Sequence, residues 1–309
     1  GKCVAIGYQA LKTSNDTDAD GTVVIGYQAG NAITDGIGNL AMGYQAMLTH
    51  TTGDRNIAIG TSAMDDTDGT NITSGAGSTV SGSSDNIFIG YGSGSGDWCN
   101  GGNNTLSGVL QAANYNISLG HNALQSITTG VNNIAIGKDA GMSLASGARN
   151  TIMGTLAADE LSNSSDNTII GATAANAFDS GEGKNTIIGS AAANLMDGSG
   201  CDENVIIGYN AAAGGGANFT DSVVIGAEAM VSTTNNAHTG AVMVGYKAGN
   251  ALTSGIQNIF IGHGAGLEHT TGSYNTVMGY NAMNDTGAGT YCKNSTHNVF
   301  IGTDSGGGT

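Results

Sequence analysis

The hydrophobic pattern of this chain repeats from one end to the other. Sixteen times in 309 residues, an aliphatic residue or Met stands directly before a glycine, and Ala or Ser stands three places after it. The commonest interval between these marker glycines is 17 residues. The marker glycines are Gly7, Gly26, Gly43, Gly60, Gly90, Gly120, Gly137, Gly154, Gly171, Gly189, Gly208, Gly226, Gly245, Gly262, Gly279 and Gly302. A period of this length predicts one repeat array.

Each repeat unit is too short to bury an apolar face by itself. A short strand, a turn and a return segment can close one coil, and coils stacked about 4.8 Å apart supply one another's missing contacts. The sequence therefore predicts an all-β fold, a parallel β-solenoid of about 16 coils on a 17-residue base repeat. We expect a single array over residues 1–309, with inserted loops at approximately 65–83, 92–112, 197–203 and 285–296.

The residues before each marker glycine predict which strand face is the core. The position directly before the glycine is aliphatic or Met in every unit, from Ile6 to Ile301. We expect this position and the one three before the glycine to face the core, since alternate residues share a face. The position two before would then point outwards. In the last nine units it is apolar: Ile152, Ile169, Ile187, Ile206, Val224, Met243, Phe260, Val277 and Phe300. Either a long loop or another subunit must cover such a stripe, and its length favours a subunit contact.

Asparagine occupies a column of its own, four residues before the marker glycine. Twelve of the sixteen units have it: Asn39, Asn56, Asn86, Asn116, Asn133, Asn150, Asn167, Asn185, Asn204, Asn258, Asn275 and Asn298. One Asn per coil predicts a ladder of hydrogen-bonded amides along the solenoid axis, at a corner of the backbone.

Composition and charge narrow the function classes. The chain has no proline, and a solenoid has few places for a residue that lacks an N–H group. Eight basic residues stand against 24 acidic ones, for a net charge of −16, so no basic patch is available for nucleic acid. No apolar run approaches the length of a membrane span. The start at Gly1, with no signal segment, suggests a processed product.

Several units resemble repeats of known fibrous proteins. The segments are Asn133-Ile134-Ala135-Ile136-Gly137, the run from Tyr274 to Met283, and Thr-Thr-Gly at 51–53, 128–130 and 270–272. They are similar to the head repeats of trimeric autotransporter adhesins of the YadA type. They are also similar to the Asn-Thr-Ala-Ile-Gly repeats of bacterial surface and phage tail-fibre proteins. The resemblance implies a left-handed β-roll that is extracellular, fibrous, often trimeric and often adhesive. The 17-residue unit is longer than the usual adhesin head repeat, and no coiled-coil stalk is present, so the resemblance does not by itself imply a trimer.

The first and last units are as regular as the rest. Solenoids usually protect their terminal coils with polar capping repeats, whereas full units here begin at Cys3 and close at Gly302. A second copy of the chain would complete the last coil, and a contact of this heterologous kind builds filaments. We expect an extracellular structural fibre protein, on a cell surface or a virion, that stacks head-to-tail with itself. The alternative is a homotrimeric adhesin, or a phage tail-fibre shaft or receptor-binding head.

Two loop features suggest ligands or modifications. Asp16, Asp18 and Asp20 before Gly21 have the alternating carboxylates of a calcium loop, but Tyr27 stands where the bidentate Glu belongs, so an ordinary solvated turn is the alternative. No other cofactor is expected. Glycosylation sequons outside the Asn column occur at Asn15, Asn71, Asn103, Asn163, Asn218, Asn284 and Asn294, and most of these fall in inserted loops that would tolerate a glycan.

Four cysteines permit two disulfides, in three possible pairings. Cys99, Cys201 and Cys292 are expected in inserted loops, and Cys3 stands in the Asn column of the first coil. If copies stack, Cys3 of one could bond with Cys292 of the next.

No motif indicates an enzyme. The chain has no G-x-S-x-G, H-E-x-x-H, phosphate-binding loop or C-x-x-C, and its six histidines are scattered over separate coils. We therefore expect no catalytic activity. The two longest units remain candidates for a binding surface, since Trp98 and Tyr115 lie in the second of them.

Overall fold

The computed structural model of the chain is built from short β-strands. It describes residues 2–14, 19–65, 82–96, 113–196, 200–215, 219–233, 238–284 and 295–307. These ranges contain β-strands and turns but no helix, which confirms the all-β class. The chain divides into two compact units, Gly1–Thr155 and Leu156–Thr309.

The first unit is a stack of three-residue strands. They are β1 (Val4–Ile6), β2 (Val23–Ile25), β3 (Leu40–Met42), β4 (Ile57–Ile59), β5 (Ile87–Ile89), β6 (Ile117–Leu119), β7 (Ile134–Ile136) and β8 (Thr151–Met153). Each strand pairs in parallel with the next in chain order, without a shift in register. In β4 and β5, for example, Ala58 lies opposite Phe88. Each coil therefore contributes one strand at the same place.

The second unit repeats this arrangement. Its strands are β9 (Thr168–Ile170), β10 (Thr186–Ile188), β11 (Val205–Ile207), β12 (Phe219–Thr220), β13 (Val223–Ile225), β14 (His238–Thr239), β15 (Val242–Val244), β16 (Ile259–Ile261), β17 (Thr276–Met278) and β18 (Val299–Ile301). The three-residue strands again pair in parallel and in register. The two-residue strands β12 and β14 pair separately with each other.

Both units are parallel β-solenoids, as the period predicts. The described chain makes about 13 turns at a spacing of about 18 residues, slightly fewer than the sixteen coils expected. Three intervals between strands carry long insertions and depart from that spacing. Most residues of the four expected inserted loops lie outside the described ranges. The handedness of the coil stays a prediction.

The marker glycine ends each strand because no other residue fits there. In Gly137, φ is +139°, a backbone region that L-residues rarely enter. A Cβ atom at this position would lie 2.4 Å from the carbonyl oxygen of Gly154, the marker glycine of the next coil. The glycines thus stack backbone against backbone, and this close approach turns the chain at every coil.

The middle residue of each strand points into the solenoid, which reverses the expected face. Ala58 and Phe88 are fully buried, whereas the residues directly before the marker glycine are half-buried or exposed, for example Leu119 at 47%. The expected core column is therefore wrong. The expected subunit-contact stripe is wrong as well, because the chain's own return segment covers it. Fully buried within one chain are Ile152, Ile169, Ile187, Ile206, Val224, Met243, Phe260 and Val277, and Phe300 of β18 is half-buried.

The core is filled by pairs of residues six positions apart. A Cβ atom added to Gly94 would lie 2.5 Å from the ring of Phe88, and one added to Gly266 would lie 2.5 Å from the ring of Phe260. Where the middle strand residue is small, its partner is large in most coils; in the pair Ala135–Gly141 both are small, and Leu124 and Ile152 of the adjacent coils lie beside Gly141. Three coils of the second unit pair Ile with Ala (Ile169–Ala175, Ile187–Ala193, Ile206–Ala212), and two coils of the first unit pair Ala with Met (Ala41–Met47, Ala58–Met64). The volume of the core is thus balanced within most coils.

Candidate functional site

The Asn column forms the predicted ladder. The side-chain oxygen of Asn116 accepts hydrogen bonds from the backbone N–H (3.0 Å) and the side-chain amide (3.1 Å) of Asn133 in the next coil. The amide of Asn133 also donates to the carbonyl of Gly147, at 2.8 Å. Both residues are fully buried. Since buried polar groups are costly when unpaired, each Asn depends on the coils on either side.

The ladder runs within each unit and is broken once. In the first unit it begins at Thr22, whose hydroxyl accepts from the N–H of Asn39 at 3.3 Å. In the second unit Ser222 takes an Asn position, and its hydroxyl accepts from the N–H of Ala241 at 3.1 Å. Ala241 has no side-chain acceptor to continue the ladder, which resumes at Asn258. The ladder is therefore strongest where Asn follows Asn.

Three columns of side chains form a surface that we call the outer face. It consists of the first and third residues of each three-residue strand and the residue after each marker glycine. The first two columns contain only Val, Ile, Leu, Met and Thr. All these positions are described, and across them Lys138 is the only residue with a formal charge. An apolar strand face thus remains uncovered by the chain itself.

Aromatic rings stack along one column of the outer face. The rings of Tyr8 and Tyr27 have centroids 5.4 Å apart, and those of Tyr27 and Tyr44 are 5.2 Å apart with planes inclined by 7°. In the second unit His263 stacks against Tyr280 at 5.2 Å. These tyrosines are 43–65% exposed. The stacking repeats at the coil spacing, so the rings hold one another in a regular row.

A polar rim borders the outer face on its other side. The residue five before each marker glycine carries many of the charges, and neighbouring coils pair them. Arg55 contacts Asp85 with 2.6 Å between nitrogen and oxygen, and Lys184 contacts Glu203 at the same distance. The hydrogen bond from Arg55 and its charge hold the pKa of Asp85 below the ordinary value. Exposed ion pairs of this kind add little stability, so the rim chiefly keeps charge beside the apolar face.

A second cluster lies inside the second unit, in the column seven residues before the marker glycine. Glu182, Cys201, Phe219 and His238 occupy this column in successive coils, and all four are buried. The rings of Phe219 and His238 are 6.0 Å apart. Burial lowers the pKa of His238, so its ring is neutral at pH 7. Sequence reasoning missed this column, although Glu, Cys and His at one position of the repeat were a visible signal.

Glu182 is the unusual member of this column. Its Oε2 atom accepts a hydrogen bond from the Ser164 hydroxyl at 3.2 Å, whereas Oε1 is buried without a partner. Burial and, to a smaller extent, the neighbouring Asp179 raise the pKa of Glu182 to about 7, against the hydrogen bonds from its own N–H and from Ser164. The side chain is therefore protonated in mildly acidic solution and is forced to ionise in the interior above neutrality.

Glu182→Gln is expected to stabilise the protein increasingly as the pH rises. The folded-state pKa of about 7 lies above the unfolded value of 4.5, so the stability of the wild type declines between these two pH values and changes no further above them. The amide should match the wild type at about pH 4 and exceed its free energy of unfolding by about 2 kcal/mol at pH 8.5. Denaturant unfolding at the two pH values measures this difference, and Glu203→Gln, a change of an exposed residue, is the control. Equal pH dependence in Glu182→Gln and wild type would contradict the assignment.

The proposed calcium loop is only partly visible. Asp16 and Asp18 lie outside the described residues. Asp20 is exposed, and its Oδ1 atom accepts a hydrogen bond from the backbone N–H of Lys2 at 3.0 Å. Over the described residues, no group of three or more His, Cys, Asp or Glu side chains is placed to hold a metal ion. The calcium site stays a prediction.

The glycosylation candidates lie partly inside and partly outside the described residues. Asn15, Asn71, Asn103, Asn218 and Asn294 lie outside the described residues. Asn163 is exposed and Asn284 is half-buried. The sequon at Asn116 is fully buried in the ladder and is inaccessible to a glycosylating enzyme in the folded chain. Glycosylation at the other positions stays a prediction.

Two of the four cysteines, Cys3 and Cys201, are described, and Cys3 is a free thiol. Cys201 was expected in an inserted loop, but it is fully buried in the interior column that contains Glu182. Cys3 donates a hydrogen bond from its thiol to the carbonyl of Ala19 at 2.8 Å. Cys99 and Cys292 lie outside the described residues, as does Trp98. Disulfide bonding with those two stays a prediction.

The described ranges hold no helix long and apolar enough to cross a membrane. The histidines do not gather at one place: His121 and His263 are exposed in the aromatic column, whereas His50 is buried.

No protein-family model matches the sequence, and no curated protein matches it either.

Proposed function

We propose that this chain is an extracellular structural protein whose solenoid serves as the building unit of a fibre. The observation that carries the proposal is the unbroken register of the strands. Each three-residue strand offers its neighbour the same hydrogen-bonding groups in the same places. One coil repeated in register gives a continuous hydrogen-bonded sheet, which suits a load-bearing role. The described surface of this sheet does not bring reactive side chains together at one place. We therefore propose no catalytic role.

End-to-end stacking is the proposed way in which copies join. Between neighbouring coils within each unit, the N–H of the first strand residue donates to the carbonyl of the Asn-column residue in the next coil, as from Thr276 to Asn298 at 2.8 Å. The N–H of the next marker glycine donates back to the last strand residue, as from Gly302 to Met278 at 2.8 Å. In β18 the corresponding groups belong to Val299 and Ile301. In β1 their complements belong to Cys3 and Gly7, so the two strands have matching edges.

Replacing Val299 by proline tests this junction. Proline removes one N–H donor from the edge of β18 and leaves the pairing with β17 intact. We expect electron micrographs of the Val299→Pro variant to show short particles where the wild type shows filaments. Val299→Ala keeps the N–H group and should still form filaments. Filaments of normal length from Val299→Pro, or discrete particles from the wild type, would contradict the proposal.

A homotrimeric adhesin or phage tail-fibre shaft is the second candidate function. The exposed apolar columns and tyrosines of the outer face favour it, since such a surface suits contacts with other chains or with sugars. A sedimentation mass of three chains, together with glycan binding that is lost when Tyr27 is replaced by Ser, would support this candidate over the filament.

A further inference from the structure

We propose that the outer face binds the outer face of a second copy of this chain, so that the fibre is built from paired solenoids. The inference rests on the proposed fibre function and names its lateral partner. It also moves the expected subunit contact from the middle residues of the strands, which the chain buries itself, to the residues on either side of them. Four properties of the outer face support the inference: its apolar content, its low charge, the spacing of its ridges and its area.

The apolar content of the outer face is high for an uncovered surface. Leu119 is 47% exposed and Met278 41%, although each has a strand on both sides. These side chains belong to columns that continue through every strand of their unit. Contiguous apolar patches bordered by polar residues mark contacts with other molecules. The ion-paired rim, with Lys184 and Glu203, supplies that border.

Charge identifies a second copy as the occupant. The chain carries a net charge of −16, so two copies repel each other through most of their surfaces. The outer face holds a single formal charge, on Lys138, so repulsion is weakest there. Nucleic acid and anionic lipid surfaces need clusters of cations, which this face lacks. An identical face needs no such cations and brings almost no like charge into the contact.

Spacing also favours an identical face. The outer residues form ridges that follow the strand separation of about 4.8 Å. A second solenoid of the same sequence presents ridges and grooves with the same separation, so its side chains can interdigitate over the whole contact, as the sheets of a sandwich do. A partner with another repeat would fall out of step after a few strands.

The area is sufficient for a stable pair. In each unit, eight strands about 4.8 Å apart and a width of about 13 Å give a face of about 500 Å². A contact through the face of one unit on each copy buries about 1,000 Å² in total, the level that a specific interface must reach. A pair in which each copy contributes the same surface is an isologous contact and closes on itself. Pairing is therefore compatible with growth of the fibre along the solenoid axis.

Two lysines placed on the outer face test the pairing. Ile188→Lys and Ile207→Lys put charges at the ends of β10 and β11, on outward-pointing side chains that are half-buried in one copy. The background is Val299→Pro, so that filaments do not obscure the mass. We expect sedimentation to give two chains for the background protein and one chain, 30.5 kDa, for the double-lysine variant. The dissociation constant should rise by about 100-fold or more.

A matched control places the same two charges elsewhere. Ser180→Lys and Gln257→Lys change exposed residues off the outer face of the same unit, and this variant should keep the mass of two chains. Circular dichroism melting should show all variants folded, because no lysine enters the core. A mass of one chain for the background protein, or a retained pair in the outer-face variant, would overturn the proposal. A mass of three chains would overturn it as well.

The test separates failure of the pair from failure of the fibre. If pairing is wrong and stacking is right, the wild type should form filaments whose mass per length corresponds to a single solenoid. If stacking is wrong and pairing is right, the wild type should sediment as two chains and form no filaments. Mass per length from scanning transmission electron microscopy distinguishes these outcomes.

Discussion

Gly137→Ala is expected to destabilise the first unit by about 3 to 5 kcal/mol, because the new Cβ atom has no space and the backbone is unsuited to it. At this position φ is +139°, and the methyl group would lie 2.4 Å from the carbonyl oxygen of Gly154. The adjacent coil would have to move away, which lengthens the hydrogen bond from the N–H of Gly154 to Ile136, now 2.8 Å. Denaturant unfolding followed by circular dichroism measures the loss.

Gly181→Ala is the control for backbone strain alone. In Gly181, φ is +96°, and no atom lies within 4 Å of the site of its Cβ atom. We expect a loss of about 1 to 2 kcal/mol from the unfavourable φ. The difference between the two variants isolates the contact between stacked glycines. Equal losses would show that this contact does not limit the residue type at the marker position.

Phe260→Ala is expected to cost about 3 to 5 kcal/mol, because it leaves a cavity inside the solenoid. Phe260 is fully buried, and its ring fills the space beside Gly266. Adding Gly266→Met should restore much of the loss. The double variant reproduces the natural pair Ala58–Met64, and Met64 has a φ of +53° against +63° for Gly266. The free energy of unfolding of the two variants and the wild type measures this rescue.

Ile259→Ala is the matched control for the direction of the strand face. Ile259 precedes Phe260 in β16 and points outwards, half-buried. We expect a loss of about 1 kcal/mol, since a half-buried side chain removes less apolar surface from water than a fully buried one. A larger loss for Ile259→Ala than for Phe260→Ala would contradict the orientation of the strands. Failure of Gly266→Met to recover stability would contradict the pairing of residues six positions apart.

The period was sufficient to predict the architecture. Sixteen marker glycines located the ends of all sixteen three-residue strands, and the Asn column gave the ladder, because both depend on one residue type recurring once per coil. The turn count is about 13, slightly lower than the sixteen coils expected. The sequence predicts the structure best at positions that accept only one residue type.

The direction of the strand faces could not be taken from the apolar pattern. Strands such as Thr168–Ile170 and Val205–Ile207 carry apolar side chains on both faces, and the outer columns vary less in residue type than the middle column does. The core column instead varies from Ser118 to Phe260, because its volume is set by a partner six residues later. The sequence therefore did contain the signal for the inner face, because the size of the middle strand residue is correlated with the size of the residue six positions later. The more uniformly apolar columns on either side led to the opposite, wrong assignment of the core face.

The candidate site was harder to predict than the fold. The outer face becomes recognisable only when the return segment is known to cover the other side of the strands. Glu182 stands at a position that holds Ser164 one coil earlier and Cys201 one coil later. The recurrence of reactive residue types at this position is visible in the sequence, but the inward direction of the side chain is known only from the structure, and the shift of the pKa of Glu182 to about 7 follows chiefly from burial.

The balance of volume within a coil has a consequence for how such a chain changes length in evolution. Large and small residues compensate each other across six positions of one coil, as in Phe88 and Gly94, so most coils need no particular neighbour to fill their interior. Duplication or deletion of a 17-residue segment that holds both members of a pair, such as residues 39–55 with Ala41 and Met47, inserts or removes a complete, already balanced module. The gene can therefore lengthen or shorten the protein by unequal recombination, without compensating changes elsewhere.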